Sequence, residues 1–143
     1  MKDINIKFIS QKDQRYDNIQ EIGDYWETDN SIEIRITEFE NPCYSYACMI
    51  HELVEKIRNN QAGIKDADVD QFDLDNPDLE DPGMSPLAPY HATHVEADVF
   101  ERLYIIFSGN DWPGYEQAID KLFEKPQYAK DSPSSLIKKI GEI

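Results

Sequence analysis

Residues 42–61 read PCYSYACMIHELVEKIRNNQ, with Asn41 before them and Gly63 just beyond. Asn41 offers a capping side chain and Pro42 has the preset φ of a first helical position. A glycine past the last periodic residue supplies a left-handed stop. These flanks predict one helix over about Pro42–Gln61. At ~100° per residue, Tyr46, Met49, Ile50, Leu53, Val54 and Ile57 form a broad apolar stripe, expected to face the core. Tyr44, Ala47, Cys48, His51, Glu55 and Arg58 fall on the opposite face.

Inside this helix, His51-Glu52-Leu53-Val54-Glu55 puts a histidine and a glutamate four residues apart, so both project from one face as a pair of metal donors. The run departs from the zinc-peptidase motif His-Glu-x-x-His only at its fifth position, where Glu55 replaces the second histidine. Carboxylate oxygen binds zinc at ~2.0–2.2 Å, about as imidazole nitrogen does, and moves the preference toward harder metals. Two such residues on a polar face are equally consistent with solvated side chains. A third donor is needed.

It comes from Pro89–Gly109, where Val99, Leu103, Ile106 and Phe107 recur at helical spacing and Gly109 closes the segment. His91, His94, Asp98 and Glu101 occupy about one quarter of the circumference on the other side. With the two helices side by side, His51, Glu55 and His94 converge on one divalent ion, expected to be zinc, with manganese or iron as alternatives. Glu52 would then act as general base toward a water whose pKa the ion lowers to ~7. The competing reading is salt-bridge decoration, for example Asp98 with Arg102. Glu52 and Glu55 with Asp98 and Glu101 could instead hold magnesium for nucleotide pyrophosphate cleavage, as in helical MazG-type enzymes. An N-terminal hairpin argues against that all-helical fold.

The chain also resembles a family of small uncharacterised proteins encoded by bacteriophages and prophages. The matching residues are Ile22-Gly23-Asp24-Tyr25-Trp26, Ile32-Glu33-Ile34-Arg35-Ile36, His51 to Glu55, Gly63-Ile64, Val69-Asp70-Gln71-Phe72-Asp73, Pro82-Gly83, Ala88-Pro89-Tyr90, His94 and Glu101-Arg102. The likeness covers roughly residues 20–115. It implies that the histidine four positions after Tyr90, His94 rather than His91, belongs to the site. Met84-Ser85 stands where the family carries an Asp pair, so no role follows for loop carboxylates there. No reaction comes with the resemblance. Besides a phage-related, metallopeptidase-like hydrolase, it is compatible with a non-enzymatic accessory protein that binds a host factor, its metal structural or absent.

The chain has 143 residues, 40% of them hydrophobic, which suits a single domain over 1–143 with a real core. No apolar run approaches the ~18–20 residues of a membrane span, and Met-Lys-Asp-Ile-Asn-Ile lacks the apolar centre of a signal peptide. A cytoplasmic protein is expected, in the host cytoplasm if phage-encoded, without membrane partners. Cys43 and Cys48 fit neither a redox pair nor a finger spacing, so reduced thiols are expected, with Cys48 an outside ligand candidate. With 29 acidic against 14 basic residues the net charge is −15, which disfavours direct nucleic-acid binding. It leaves a peptide or small-molecule substrate, or a basic host protein, as partner.

The acids are densest over 66–81. A calcium loop beginning at Asp66 fails, because its sixth and twelfth positions are Gln71 and Pro77 rather than Gly and Glu. Asp66 is expected to cap a short helix through Phe72. Asp70 and Asp73 are candidates to orient His51 or His94 through the second ring nitrogen. Ile4–Ile9 alternates as a strand, and Asp24–Thr28 and Ser31–Glu38 flank Asp29-Asn30 as a hairpin. Pro77 to Pro89 reads as an ordered loop, and Pro113–Glu124 as a further helix. Tyr90 either anchors that loop or donates to an oxyanion. Residues 125–143 form a Ser/Pro/Lys-rich extension with a short helix near Leu136–Ile140. The fold class is α+β: a small N-terminal antiparallel sheet followed by packed helices, zincin-like through its motif.

Overall fold

A computed structural model describes residues 1–124. The expected extension and its short helix lie outside these residues. Three strands, β1 (Asp3–Ile9), β2 (Gly23–Glu27) and β3 (Ser31–Thr37), precede four helices, α1 (Pro42–Ala62), α2 (Asp66–Asp75), α3 (His91–Phe107) and α4 (Trp112–Phe123). The class is α+β, as expected. None of the helices is long and apolar enough to cross a membrane.

The sheet is mixed rather than wholly antiparallel. The hairpin pairs β2 with β3 antiparallel, Tyr25 opposite Ile34, whereas β1 joins the other edge of β3 in parallel, Ile6 opposite Ile34. Residues 10–22 pass the end of β3 to join β1 to β2, and β2 carries the chain back so that β3 can run parallel to β1. On the central strand Ile32, Ile34 and Ile36 point to one face and are 8%, 0% and 0% exposed. Each such side chain contributes about 1.5–3 kcal/mol by leaving water. α1 lies over β3 and β2 and meets β1 only at its margin, where Phe8 packs edge-on against Tyr46.

α1 begins and ends where its flanking residues require. The Asn41 side chain accepts from Cys43 N at 3.0 Å, Pro42 takes the first turn, and Gly63 adopts φ +74°. The left-handed value suits a residue without Cβ. α4 is capped likewise, Asp111 Oδ1 accepting from Gly114 N at 2.7 Å. α2 differs from expectation at both ends: it runs on to Asp75 rather than stopping at Phe72, and Lys65 occupies the cap with Asp66 the first helical residue, where its charge still favours the N-terminal dipole.

The larger correction concerns which way α1 faces. Its buried residues are Ser45, Ala47, Cys48, His51, Glu55, Lys56 and Asn59, not the apolar stripe. Met49 and Leu53 alone of that stripe pack on the sheet cluster, while Tyr46 and Ile57 are exposed. α3 is turned in the same sense. It buries Thr93, His94, Ala97, Glu101 and Ile105 and leaves Val99, Leu103, Ile106 and Phe107 at the surface. The two helices run antiparallel: Ala47 shares a cluster with Ile105, His51 meets Glu101, and Asn59 meets Thr93. Small residues, Ala47 and Ala97, let them approach closely. The polar groups can be buried because they satisfy one another across the interface.

Candidate metal centre

The α1–α3 interface brings His51, Glu55 and His94 together, all buried. His51 Nε2 lies 3.1 Å from Glu55 Oε2 and 3.1 Å from His94 Nδ1, and His94 Nδ1 lies 2.7 Å from Glu55 Oε2. Tetrahedral donors at ~2.0–2.1 Å from zinc stand about 3.3–3.4 Å apart. The three atoms need separate by about 0.2 to 0.7 Å to surround an ion. The residues fit a divalent metal.

Each donor residue is held by a neighbour through its other polar atom. Glu101 Oε2 is 2.8 Å from His51 Nδ1, and the Tyr115 hydroxyl donates to Glu101 Oε1 at 2.7 Å. The Tyr25 hydroxyl donates to Glu55 Oε1 at 2.6 Å and accepts from Asn59 Nδ2 at 2.8 Å. Asp81 Oδ1 approaches His94 Nε2 to 3.0 Å, but Nε2 makes no directed hydrogen bond, so this contact is electrostatic. A carboxylate against the far nitrogen of each histidine fixes the ring and raises its basicity, the arrangement common around bound metals.

No family model, curated protein or solved structure matches the chain.

The site geometry places the expected residues as follows. His51, Glu55 and His94 converge. His91 does not: its Nδ1 faces Gly83 O at 2.8 Å, tying the 82–84 turn to the start of α3. This turn matters, because a Cβ on Gly83 would fall 2.3 Å from His94 Nδ1. Only a glycine lets the backbone lie on that ring. Asp70 and Asp73 border the cavity but contact neither histidine. Asp70 is paired with Arg15, and Asp73 accepts from the Tyr90 hydroxyl. Tyr90 thus anchors α3 to α2. Cys48 is buried against Tyr25, Ile32, Ile34 and Ile36, and does not join the donor group. Asp98 is paired with Arg102 at 2.7 Å, as the salt-bridge reading required, and also stands within a second metal-capable group with His51 and Glu101.

Burial and charge set the protonation of the cluster. Burial opposes charge on His51, yet the Glu101 and Glu55 carboxylates outweigh it and hold its pKa well above the ordinary value. For His94 the same opposition is overcome by Asp81 and Glu55, to about 10. Burial would raise Glu55, but the two imidazoles bring it down to about 2. Glu52 goes the other way: burial first, then the Glu55 charge, push it up to about 8. Its side chain folds against β2, where a Cβ on Gly23 would lie 2.6 Å from Glu52 Cγ and Oε1.

All of these residues border a cavity of about 580 Å³ between β2, α1, α3 and α4. Its size is that of a small-ligand site. Sequence reasoning brought forward His51, Glu55, His94 and Glu52 but assigned no role to Tyr25, Asp81 or Tyr115, and left Glu101 as one acid among several. One signal was available: small residues flank the polar stripes of both helices, which marks close helix packing.

Proposed function

We propose that this protein is a divalent-metal-dependent hydrolase acting on a peptide or amide bond, with His51, Glu55 and His94 holding the metal and Glu52 acting as general base. The observation that carries this reading is the convergence of three buried donor atoms within 3.1 Å, each donor residue braced from outside. A divalent ion held there would supply Lewis acidity, polarising a carbonyl and lowering the pKa of water toward ~7. Zinc suits the two imidazoles, and manganese or iron remain compatible with the carboxylate.

The chain's own groups supply the rest. Glu52 borders the same cavity as the donors, and with a pKa of about 8 it can take up a proton near neutral pH and return it. Water adds its oxygen to the carbonyl carbon and loses a proton to Glu52. The C–N bond then breaks, and the amine departs with the proton that Glu52 gives back. Magnesium-dependent cleavage of nucleotide pyrophosphates fits less well, because no Lys or Arg among the described residues borders the cavity to meet phosphate charge. The phage likeness adds a host cell as the setting.

Metal content of tag-free protein, measured by plasma mass spectrometry beside His51→Ala and His94→Ala, tests the centre. Near-stoichiometric metal lost in both variants is expected. No metal after reconstitution overturns the reading. Glu52→Gln should keep the metal and abolish hydrolysis in a peptide screen.

A further inference from the structure

We propose that the outer face of α3 is the interface of a twofold homodimer, in which two copies of this chain pack their α3 helices antiparallel. The metal donors lie on the opposite, buried side of the helix pair and take no part in the contact.

Val95, Val99, Phe100, Leu103, Ile106 and Phe107 fall within about 140° of one another around α3 at ~100° per residue. They are 38%, 53%, 54%, 43%, 65% and 83% exposed. Single exposed apolar residues are ordinary, but six on one helix face form a continuous patch. With ~150–250 Å² for an aromatic side chain and somewhat less for an aliphatic one, roughly 600 Å² of apolar surface lies open on α3 alone. That is the upper end for the largest patch of a typical monomer, about 300–600 Å². A stable dimer takes about 800 Å² from each partner, as an apolar core within a polar rim. Ile57 on α1, 39% exposed, and the polar edge of the helix supply the difference.

Charge selects the occupant. The chain carries −15, yet the charges bordering this face form closed pairs, Arg58 with Glu96 at 2.6 Å and Arg102 with Asp98 at 2.7 Å. The patch is therefore neutral on a strongly acidic molecule. It offers a second copy an approach without like-charge repulsion. A basic partner gains nothing there, because both acids already hold arginines. An anionic lipid surface is repelled by the rest of the molecule, and a membrane-binding face carries free Lys or Arg along its edge.

The helix is also self-complementary. Val99, Leu103 and Ile106 are spaced by four and three residues, the alternation that interlocks facing helices. Turned antiparallel about a twofold axis, Val99 meets Leu103 of the second copy, and Phe107 meets its Val95. α3 is then buried on both sides, the polar side on α1 and the apolar side on its copy. The stripe whose periodicity predicts a core face becomes one, between two chains.

Light scattering on the full chain from about 1 to 100 µM tests this. Micromolar or tighter association is usual for an interface of this size, so a mass of twice 16.6 kDa is expected at the upper concentrations. Leu103→Glu with Ile106→Glu should leave a mass of 16.6 kDa and weaken association more than about 100-fold, with helix content and metal content unchanged. Ile106→Ala, close to neutral for unfolding of the separated chain, should weaken association about 10-fold and guards against misfolding of the double variant. Leu87→Glu, 84% exposed in the loop before α3, and Phe8→Glu on the edge strand β1 should both stay dimeric. A monomer at about 100 µM, a dimer that survives the α3 substitutions, or a dimer dissociated by Phe8→Glu instead overturns the proposal. A wild-type monomer destabilised by Ile140→Glu would give the face to residues 125–143, and one that binds phosphatidylcholine vesicles would give it to lipid; both likewise overturn it.

Discussion

Glu101 Oε2 stands 2.8 Å from His51 Nδ1, linking α3 to α1 beneath the three donors. The carboxylate fixes which His51 nitrogen faces the centre and makes that nitrogen a stronger donor. Glu101→Gln keeps the shape but removes the charge, so metal affinity should fall about 10- to 100-fold with the fold intact. Competition against a chelator of known affinity measures it. An unchanged affinity would show that Glu101 serves packing alone.

Two glycines should separate holding the metal from using it. Gly83→Ala places a methyl group 2.3 Å from the His94 ring, and Gly23→Ala places one 2.6 Å from Glu52. Gly83→Ala should therefore lose metal and about 1–3 kcal/mol of stability through overpacking. Gly23→Ala should keep near-stoichiometric metal and lose turnover. If both variants lose metal equally, Glu52 is coupled to the donors more tightly than proposed.

Stability of the metal-free protein should fall as pH rises. Glu52 and Glu21 keep their protons up to about 8 and 9 in the folded chain, against 4.5 ordinarily; both are raised by burial and neighbouring carboxylates. The protonated His94 contributes stability that is fully present below pH 6.5 and lost as pH rises through about 10. At all three groups the folded state binds more protons than the unfolded state between pH 6.5 and 9, so the slope of stability with pH is negative. Glu55, lowered to about 2, adds no slope in this window. Melting temperature of chelator-treated protein should be lower at pH 9 than at pH 6.5. Metal binds the deprotonated donors, so loaded protein should lose less over the same range. A melting temperature of the chelated protein that climbs with pH would count against this protonation scheme.

Arg15 clasps the connection between β1 and β2 to the rest of the molecule. Its guanidinium meets both oxygens of Asp24 at 2.8 and 2.9 Å and reaches Asp70 on α2 at 3.1 Å, with Asp24 only 5% exposed. Arg15→Gln strands the Asp24 carboxylate and should cost about 2–3 kcal/mol in urea unfolding. Adding Asp24→Asn should restore part of the loss. No recovery in the double variant would mean that Arg15 acts through its stacking on Trp26 instead.

Adjacent isoleucines report how α3 is turned. Ile105 is fully buried and Ile106 is 65% exposed. Ile105→Ala should cost about 2–5 kcal/mol, and Ile106→Ala should stay within about 0.5 kcal/mol. Comparable losses at the two positions would contradict the rotation of the helix described above.

The sequence determined what depends on near neighbours. Asn41-Pro42 and Gly63 bound α1, alternation marked the strands, and a spacing of four put His51 and Glu55 on one helix face, because caps, pleat and helical pitch are local geometry. His94 was expected beside them from the same face argument and from a resemblance, and it does meet them. Hydrophobic periodicity, however, turned both helices the wrong way. It counts each side chain's cost of leaving water and cannot see that His51 and Glu101, 50 residues apart, remove that cost from each other. Only the antiparallel packing of α1 on α3 decided that the polar faces meet inside. The same packing brought Asp81, Tyr25 and Tyr115 to the donors and enclosed a cavity lined by acids. Those are properties of distance in space, which spacing along the chain does not contain.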